Sequence, residues 1–155
     1  MVAAAAVFAL ADRTGGTVNG RVLGVDPGEK RLGIAISDPS GTIAGPLTVV
    51  KHVARAVDAA RIARLAAEQG AVLIVVGQPL DAEGEVGPQG RKSLRLAEAI
   101  RSCTDLPVEL WDESGSTQAA IEARRAMGAK RKKRSGHLDD LAATFLLQAW
   151  LDQHE

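Results

Sequence analysis

Val22-Leu23-Gly24-Val25-Asp26-Pro27-Gly28-Glu29-Lys30-Arg31-Leu32-Gly33-Ile34-Ala35-Ile36 is the stretch that decides how this chain folds. Two short runs rich in β-branched and apolar residues flank a charged segment whose Pro27-Gly28 pair marks a turn. They predict a β-hairpin with Asp26 at the end of its first strand. By the residues alone, Asp26 reads equally well as a turn former.

Beyond the hairpin, a third strand is expected over Ile43 to Val50, after the turn at Pro39-Ser40-Gly41. Arg55 to Gln69 carries Ala56, Ala59, Ala60, Ala63, Ala66 and Ala67 at helical spacing and stops at Gly70, so small side chains would let this helix lie close to a sheet. Val72-Leu73-Ile74-Val75-Val76 is apolar at every position, the pattern of a central strand covered on both faces. Asp81 to Gly90, with three glycines and a proline, reads as a loop. A helix from Arg91 to Ser102, a strand from Val108 to Trp111, a helix from Thr117 to Met127 and a last helix from Leu138 to Leu151 complete the pattern. Strands first and then alternating helices and strands imply an α/β fold, with a mixed five-stranded sheet. Its first three strands are antiparallel and the later ones join by parallel crossovers, with helices on the flanks.

The chain of 155 residues, 46% hydrophobic, is enough for one domain with one core. Nineteen acidic and nineteen basic residues cancel, so any affinity for nucleic acid must come from local clustering. Cys103 is the single cysteine, which excludes an internal disulfide and a multi-cysteine zinc site and suits a reducing, cytoplasmic setting. Ala3 to Ala11 is a short apolar block with no Lys or Arg before it, too short to span a bilayer. Residues 1–20 therefore read as a flexible N-terminal extension, ahead of one domain over 21–152, and no membrane association is expected.

Three carboxylates stand where strands end or a helix begins: Asp26, Glu113 and Asp139. The strand order would bring them to one edge of the sheet, where loops build sites in open α/β folds. Asp139 shares a helical stripe with Ala142, Ala143, Leu146 and Trp150, opposite Thr144, Gln148 and Asp152, so it should face inward more than Asp140. An acid at a helix start is also favoured by the helix dipole alone. Converging carboxylates without His or Cys select hard cations, Mg²⁺ or Mn²⁺, most simply two of them. Lys130-Arg131-Lys132-Lys133-Arg134, just before the last helix, with Arg124, Arg125, Lys30 and Arg31, forms a set suited to a phosphate backbone. His52, His137 and His154 read as surface residues, with His137 a secondary candidate for proton transfer. Trp111 and Trp150 read as core.

These residues fall in four ordered motifs. Gly24 to Ala35 is similar to the opening G-x-D-x-G-x-K-R-x-G-x-A of the YqgF (RuvX) family of ribonuclease H-like proteins. Gly77-Gln78-Pro79-Leu80 resembles the family's G-x-P-L, Trp111-Asp112-Glu113 the start of W-D-E-R-x-T-T, and Asp139-Asp140-Leu141-Ala142-Ala143 its terminal D-x-x-A-A. The resemblance implies a ribonuclease H-like fold, catalytic and metal-binding Asp26, Glu113 and Asp139, and hydrolysis of phosphodiesters in structured RNA or branched DNA. It implies either 5′-end maturation of 16S rRNA or resolution of Holliday junctions, the latter expected of a homodimer and the former open to a monomer. One departure stands out: Ser114-Gly115-Ser116-Thr117 replaces the arginine-containing segment after the glutamate. It leaves the carboxylates intact, but an arginine that would contact phosphate is absent. The rivals are a non-catalytic nucleic-acid-binding module and a sugar kinase or actin-like ATPase, which shares the Asp-x-Gly hairpin but needs two such domains.

Overall fold

The computed structural model describes residues 19–80, 83–112 and 138–154. The extension up to residue 18 and the expected helix at Thr117–Met127 lie outside these residues. Strands β1 (Arg21–Pro27) and β2 (Arg31–Ser37) form the expected hairpin, with Leu23 opposite Ile36 and Asp26 opposite Gly33. Strand β3 (Ala44–Lys51) adds antiparallel to β2. Strand β4 (Ala71–Gln78) runs parallel to β1 on its other side, and β5 (Val108–Asp112) runs parallel to β4. The five-stranded order is β3-β2-β1-β4-β5, so β1 and β4 lie inside.

Alternation along each strand divides the core in two. Leu23, Val25, Ile34, Ile74 and Val76 meet helices α1 (Arg55–Glu68) and α2 (Pro88–Arg101) on one face. Val22, Ala35, Leu73 and Val75 meet α3 (Leu138–Gln153) on the other. The unbroken apolar run of β4 is thus buried on both sides, as its sequence demands. In α1 the buried face is Asp58, Ala59, Ile62 and Ala66, whereas Ala56, Ala60 and Ala67 are exposed. Alanine favours a helix wherever it stands, so its spacing did not mark the inner face.

Helix α2 begins at Pro88, inside the stretch expected to be loop. Proline loses nothing in a first turn, where its missing N–H has no intrahelical partner, and Arg91 N–H donates to Gly87 O at 3.0 Å. Gly90 is there for space: a Cβ would stand 2.8 Å from Pro79 O and 2.9 Å from Val86 Cγ1. At its other end α2 is tied to β5 by Arg101, whose Nη2 donates to Val108 O at 2.6 Å.

Helix α3 lies directly on β1 because Gly24 has no side chain. A Cβ at this position would stand 2.9 Å from Leu147 Cβ. The helix is anchored laterally by Gln148, which accepts from Ala44 N–H at 2.9 Å and donates to Thr42 O at 3.0 Å. Trp150, fully buried, donates from Nε1 to Glu109 at 3.2 Å and stacks on His154 at 4.0 Å. His154 is therefore half-buried rather than a free surface residue.

The loop that receives Gln148 is held by Asp38. Its Oδ1 accepts from Thr42 N–H at 2.8 Å and Ile43 N–H at 3.0 Å, and its Oδ2 accepts from the Ser40 hydroxyl. The Ile43 amide first, then the Ser40 hydroxyl and the Thr42 amide, lower its pKa from 3.8 to about 2.

Two outcomes follow from this packing. Gly24→Ala should cost about 1–3 kcal/mol in urea unfolding, because neither the β1 backbone nor Leu147 Cβ can yield cheaply. Gly45→Ala, where a Cβ meets nothing within 4 Å, should stay within about 0.5 kcal/mol of the parent. Asp38 has a depressed folded pKa, so its contribution is present above the ordinary aspartate range and lost as pH falls toward about 2. Thermal melts should accordingly separate Asp38→Ala from the parent at pH 6, and the gap should shrink steadily below pH 4.

Candidate active site at the carboxyl edge of the sheet

The parallel strands β1, β4 and β5 end at the same edge, and Asp26 stands there as the next-to-last residue of β1. Its parity is that of Val22 and Gly24, so it belongs to the α3 face of the sheet. Both of its lateral neighbours are glycines. Gly33 is its partner on β2, and on β4 the register that pairs Val25 with Val76 brings Asp26 abreast of Gly77. The half-buried carboxylate thus has no side chain on the strand position to either side of it.

Gly77 in turn pairs with Trp111, and Gln78 with Asp112, the last residue of β5. Glu113 follows immediately in the chain but lies outside the described residues, as do Ser114-Gly115-Ser116-Thr117, Arg124, Arg125, Lys130, Arg131, Lys132, Lys133, Arg134 and His137.

The first turn of α3 reaches the same edge. Gln148 is fixed over the start of β3, and Ala44 there pairs with Ser37, whose Oγ accepts from Val22 N–H at 2.8 Å. The C-terminal half of α3 therefore covers the amino end of β1, and the helix runs back toward Asp26. From Leu147 to Asp139 the backbone rises about 12 Å, against about 7 Å from Gly24 to Asp26. Position 139 lies four, seven and eleven residues before Ala143, Leu146 and Trp150, all fully buried. The backbone thus places 139 on the helix stripe that meets the sheet.

The hairpin turn next to Asp26 is tightly built. Gly28 N–H donates to Arg31 O at 2.9 Å, and a Cβ on Gly28 would lie 2.5 Å from that oxygen. Lys30 and Arg31 are exposed on the turn, and Lys30 O accepts from His52 N–H at 2.9 Å. Among the described residues, no three of His, Cys, Asp and Glu are grouped to hold a metal ion. The donor chemistry that Asp26 brings to the edge is a carboxylate, which suits a hard cation better than a soft metal.

A basic group that sequence reasoning did not single out also lies at this edge. Arg31 pairs across the sheet with Lys51, and Arg55, Lys92 and Arg95 gather with His52 on the α1–α2 face of the hairpin turn. The spacing of Lys92 and Arg95 by three on α2 was a legible hint that they share a side of the helix.

Residues 20–153 match the protein-family model described as RuvX: Holliday junction resolvase. The chain is 40% identical over 139 residues to a protein of Thermoanaerobacter pseudethanolicus named "Putative pre-16S rRNA nuclease", covering 87% of this chain and 98% of the relative. Proteins of the same name from Chloroflexus aggregans, 41% identical over 84% of this chain and 92% of theirs, and from Myxococcus xanthus, 37% identical over 86% and 89%, are similar as well. Among solved structures, Thermus thermophilus RuvC in complex with a Holliday junction substrate aligns with a TM-score of 0.54 at 20% identity, over 86% of this chain and 95% of that one. The fowlpox virus resolvase in complex with Holliday junction DNA aligns at 0.52 and 14% identity, over 86% and 97%. These structural likenesses establish the ribonuclease H-like fold. With the family model spanning all but the chain's first 19 and last two residues, and relatives near 40% identity over most of its length, the chain belongs to the RuvX family of nucleases.

Proposed function

We propose that this nuclease is a divalent-metal-dependent phosphodiester hydrolase that matures the 5′ end of 16S rRNA from its precursor. What supports the reading is that β1, with Asp26, and β5, just before Glu113 in the chain, end at one sheet edge, and that α3, with Asp139 in its first turn, runs back toward that edge. The shared name of the curated relatives directs the proposal to ribosomal RNA.

In this reading Asp26, Glu113 and Asp139 are the catalytic and metal-holding residues. Bound Mg²⁺ or Mn²⁺, most simply two ions, supplies Lewis acidity to the attacking water and to the departing oxygen. Three carboxylates against two dications leave one positive charge at the site to meet the phosphate. Asp26, flanked by glycines, leaves space for a backbone to come close from either side. Lys30 and Arg31 steer that backbone from the turn and take part of the contact that the arginine replaced by Ser114-Gly115 would have made.

Arg124, Arg125 and Lys130 to Arg134 belong to the segment whose ends, Asp112 and Leu138, are both at this edge. Arg134 stands four residues from Leu138, so its backbone is within about 14 Å of the helix start. A charge run on so short a tether acts near the site.

The family description as a Holliday junction resolvase favours a second reading, cleavage of branched DNA. That activity nicks two strands in concert and calls for a dimer. No helix among the described residues is long and apolar enough to cross a membrane, and action on precursor rRNA would place the enzyme in the cytoplasm.

Purified protein incubated with precursor 16S RNA and with a synthetic four-way DNA junction, in Mg²⁺ and then Mn²⁺, should trim the RNA and leave the junction whole. Junction cleavage alone would move the assignment to the second reading. Asp26→Asn should lower the cleavage rate by about a thousandfold or more, equivalent to several kcal/mol. Its affinity for the same RNA should be equal or higher, since one negative charge is removed. Cleavage at the parental rate by this variant would remove Asp26 from the catalytic set.

A further inference from the structure

Behind the hairpin turn, on the face of the sheet away from α3, lies a cavity of about 260 Å³ that the hydrolysis itself does not use. Its floor is apolar, made by Pro27, Leu32 and Leu96, the last two only 2% and 6% exposed. Its rim carries three permanent cations, Arg55 at the start of α1 and Lys92 and Arg95 one turn apart on α2. Two carboxylates, Glu29 and Asp58, also line it. Asp58 is committed elsewhere: its side chain is 3% exposed, pairs with the ring of His52 and accepts from Val53 N–H at 3.1 Å. The described residues give Arg55, Lys92 and Arg95 no ion-pair partner.

His52 and Glu29 are shared between this cavity and a second, more open groove of about 510 Å³ that is also lined by Lys30, Arg31, Val49 and Lys51. A track with more cations than carboxylates therefore passes around the turn, with Glu29 as its one acid besides the committed Asp58. Pro27, on the cavity floor, is the residue after Asp26, so the seat begins one peptide unit, about 3.8 Å between Cα atoms, from the candidate catalytic carboxylate.

An apolar floor under a rim of unpaired Lys and Arg matches one nucleotide: a flat base and sugar below, a phosphate above. A base held in a duplex cannot enter such a space, because its edges and faces are already engaged. We propose that this cavity is a subsite for one unpaired nucleotide of the substrate strand, next to the phosphate that is cut. The base rests on Pro27, Leu32 and Leu96, and the phosphate lies against Lys92 and Arg95 with Arg55 beside them. The proposal rests on the nuclease reading and adds that the enzyme selects substrates with a single-stranded extension at the cleavage point.

The test compares a blunt RNA duplex with the same duplex carrying a short single-stranded extension. Binding is measured in the full-length Asp26→Asn protein as a function of salt. Adding Lys92→Ala and Arg95→Ala should reduce the slope of log affinity against log salt by roughly 0.7 to 0.9 on the extended substrate, the share of the one phosphate they hold. Affinity for that substrate should fall by about tenfold or more at low salt, with a much smaller change on the blunt duplex. Ala54→Trp, which fills the cavity and keeps every charge, should weaken the extended substrate alone and leave the slope as it was.

Equal weakening of both substrates by the charge variant would indicate a general field rather than a seat and would overturn the subsite, as would an Ala54→Trp protein that binds the extension like its parent. Unchanged binding by the charge variant, when the unsubstituted protein cuts the RNA, overturns the subsite alone. A parent that neither binds nor cuts either RNA overturns the subsite together with the RNA reading beneath it.

Discussion

The approach of helix α3 to strand β1 at Gly24 governs the geometry of the whole molecule. Because Leu147 Cβ stands only 2.9 Å from the place where a Cβ of residue 24 would be, the helix sits lower on the sheet than a side chain there would permit. Its anchors follow from that depth: Gln148 bridging to the loop before β3, and Trp150 reaching Glu109 across the sheet. Once these contacts set the position and direction of α3, the place of its first turn is no longer free. The Asp139 backbone comes to the edge where β1 ends because the other end of the helix is pinned at the amino end of β1. A packing constraint in the core thereby sets the spacing of charged groups at the surface.

The same economy of side chains recurs around Asp26. A strand interior usually favours residues that pack, and glycine there forgoes both packing and backbone order. Gly24, Gly33 and Gly77 nonetheless line the α3 face beside or below Asp26. Gly24 is explained by Leu147; Gly33 and Gly77 belong to the strands on either side of β1. Their common feature is that each neighbours the carboxylate. Bare backbone on both sides of an acid is what a site needs if a charged polymer must approach it closely. The stability forgone there is offset by the two apolar layers, in which β4 is buried on both faces.

Much of this was legible in the sequence, for reasons that differ by element. The hairpin and the order of strands could be read because period-two alternation and a Pro-Gly turn are local signals, and β4 because a fully apolar run has few other uses. The inward stripe of α3 was readable from its large residues, Leu146 and Trp150. Two readings went astray through residues that carry little information. Alanine is indifferent to burial, so the α1 stripe was drawn too broadly, and Pro88 and Gly90 looked like loop when one was a helix start and the other a close contact. The place of Asp26 at the end of β1 was legible through the hairpin signals around it. The cationic cavity was not, since its residues come from three separate segments, near 27–32, 52–58 and 92–96, and each charge alone looks like any solvated one.

That separation bears on how the two faces of the sheet cooperate. Asp26 and Pro27 are consecutive, and the pleat sends them to opposite sides. The carboxylate faces α3 while the proline floors the cavity under α1 and α2. A polymer crossing the edge therefore meets the Asp26 carboxylate on one side and cations on the other, with only the hairpin turn between. Placed beside Asp26, Lys92 and Arg95 would neutralise the carboxylate and compete with any cation it attracts. The sheet prevents this, because its low-dielectric core stands between the groups and each keeps its own local field. The turn needs a rigid shape for that division to hold. The Gly28 to Arg31 hydrogen bond closes it, and the His52 amide bond to Lys30 O ties it to the end of β3. His52, braced by buried Asp58, then fixes the wall that the cavity and the open groove share. A loosened turn would let the two fields mix, so the short contacts of residues 28 to 31 and 52 sustain the electrostatic order of the edge as much as its shape.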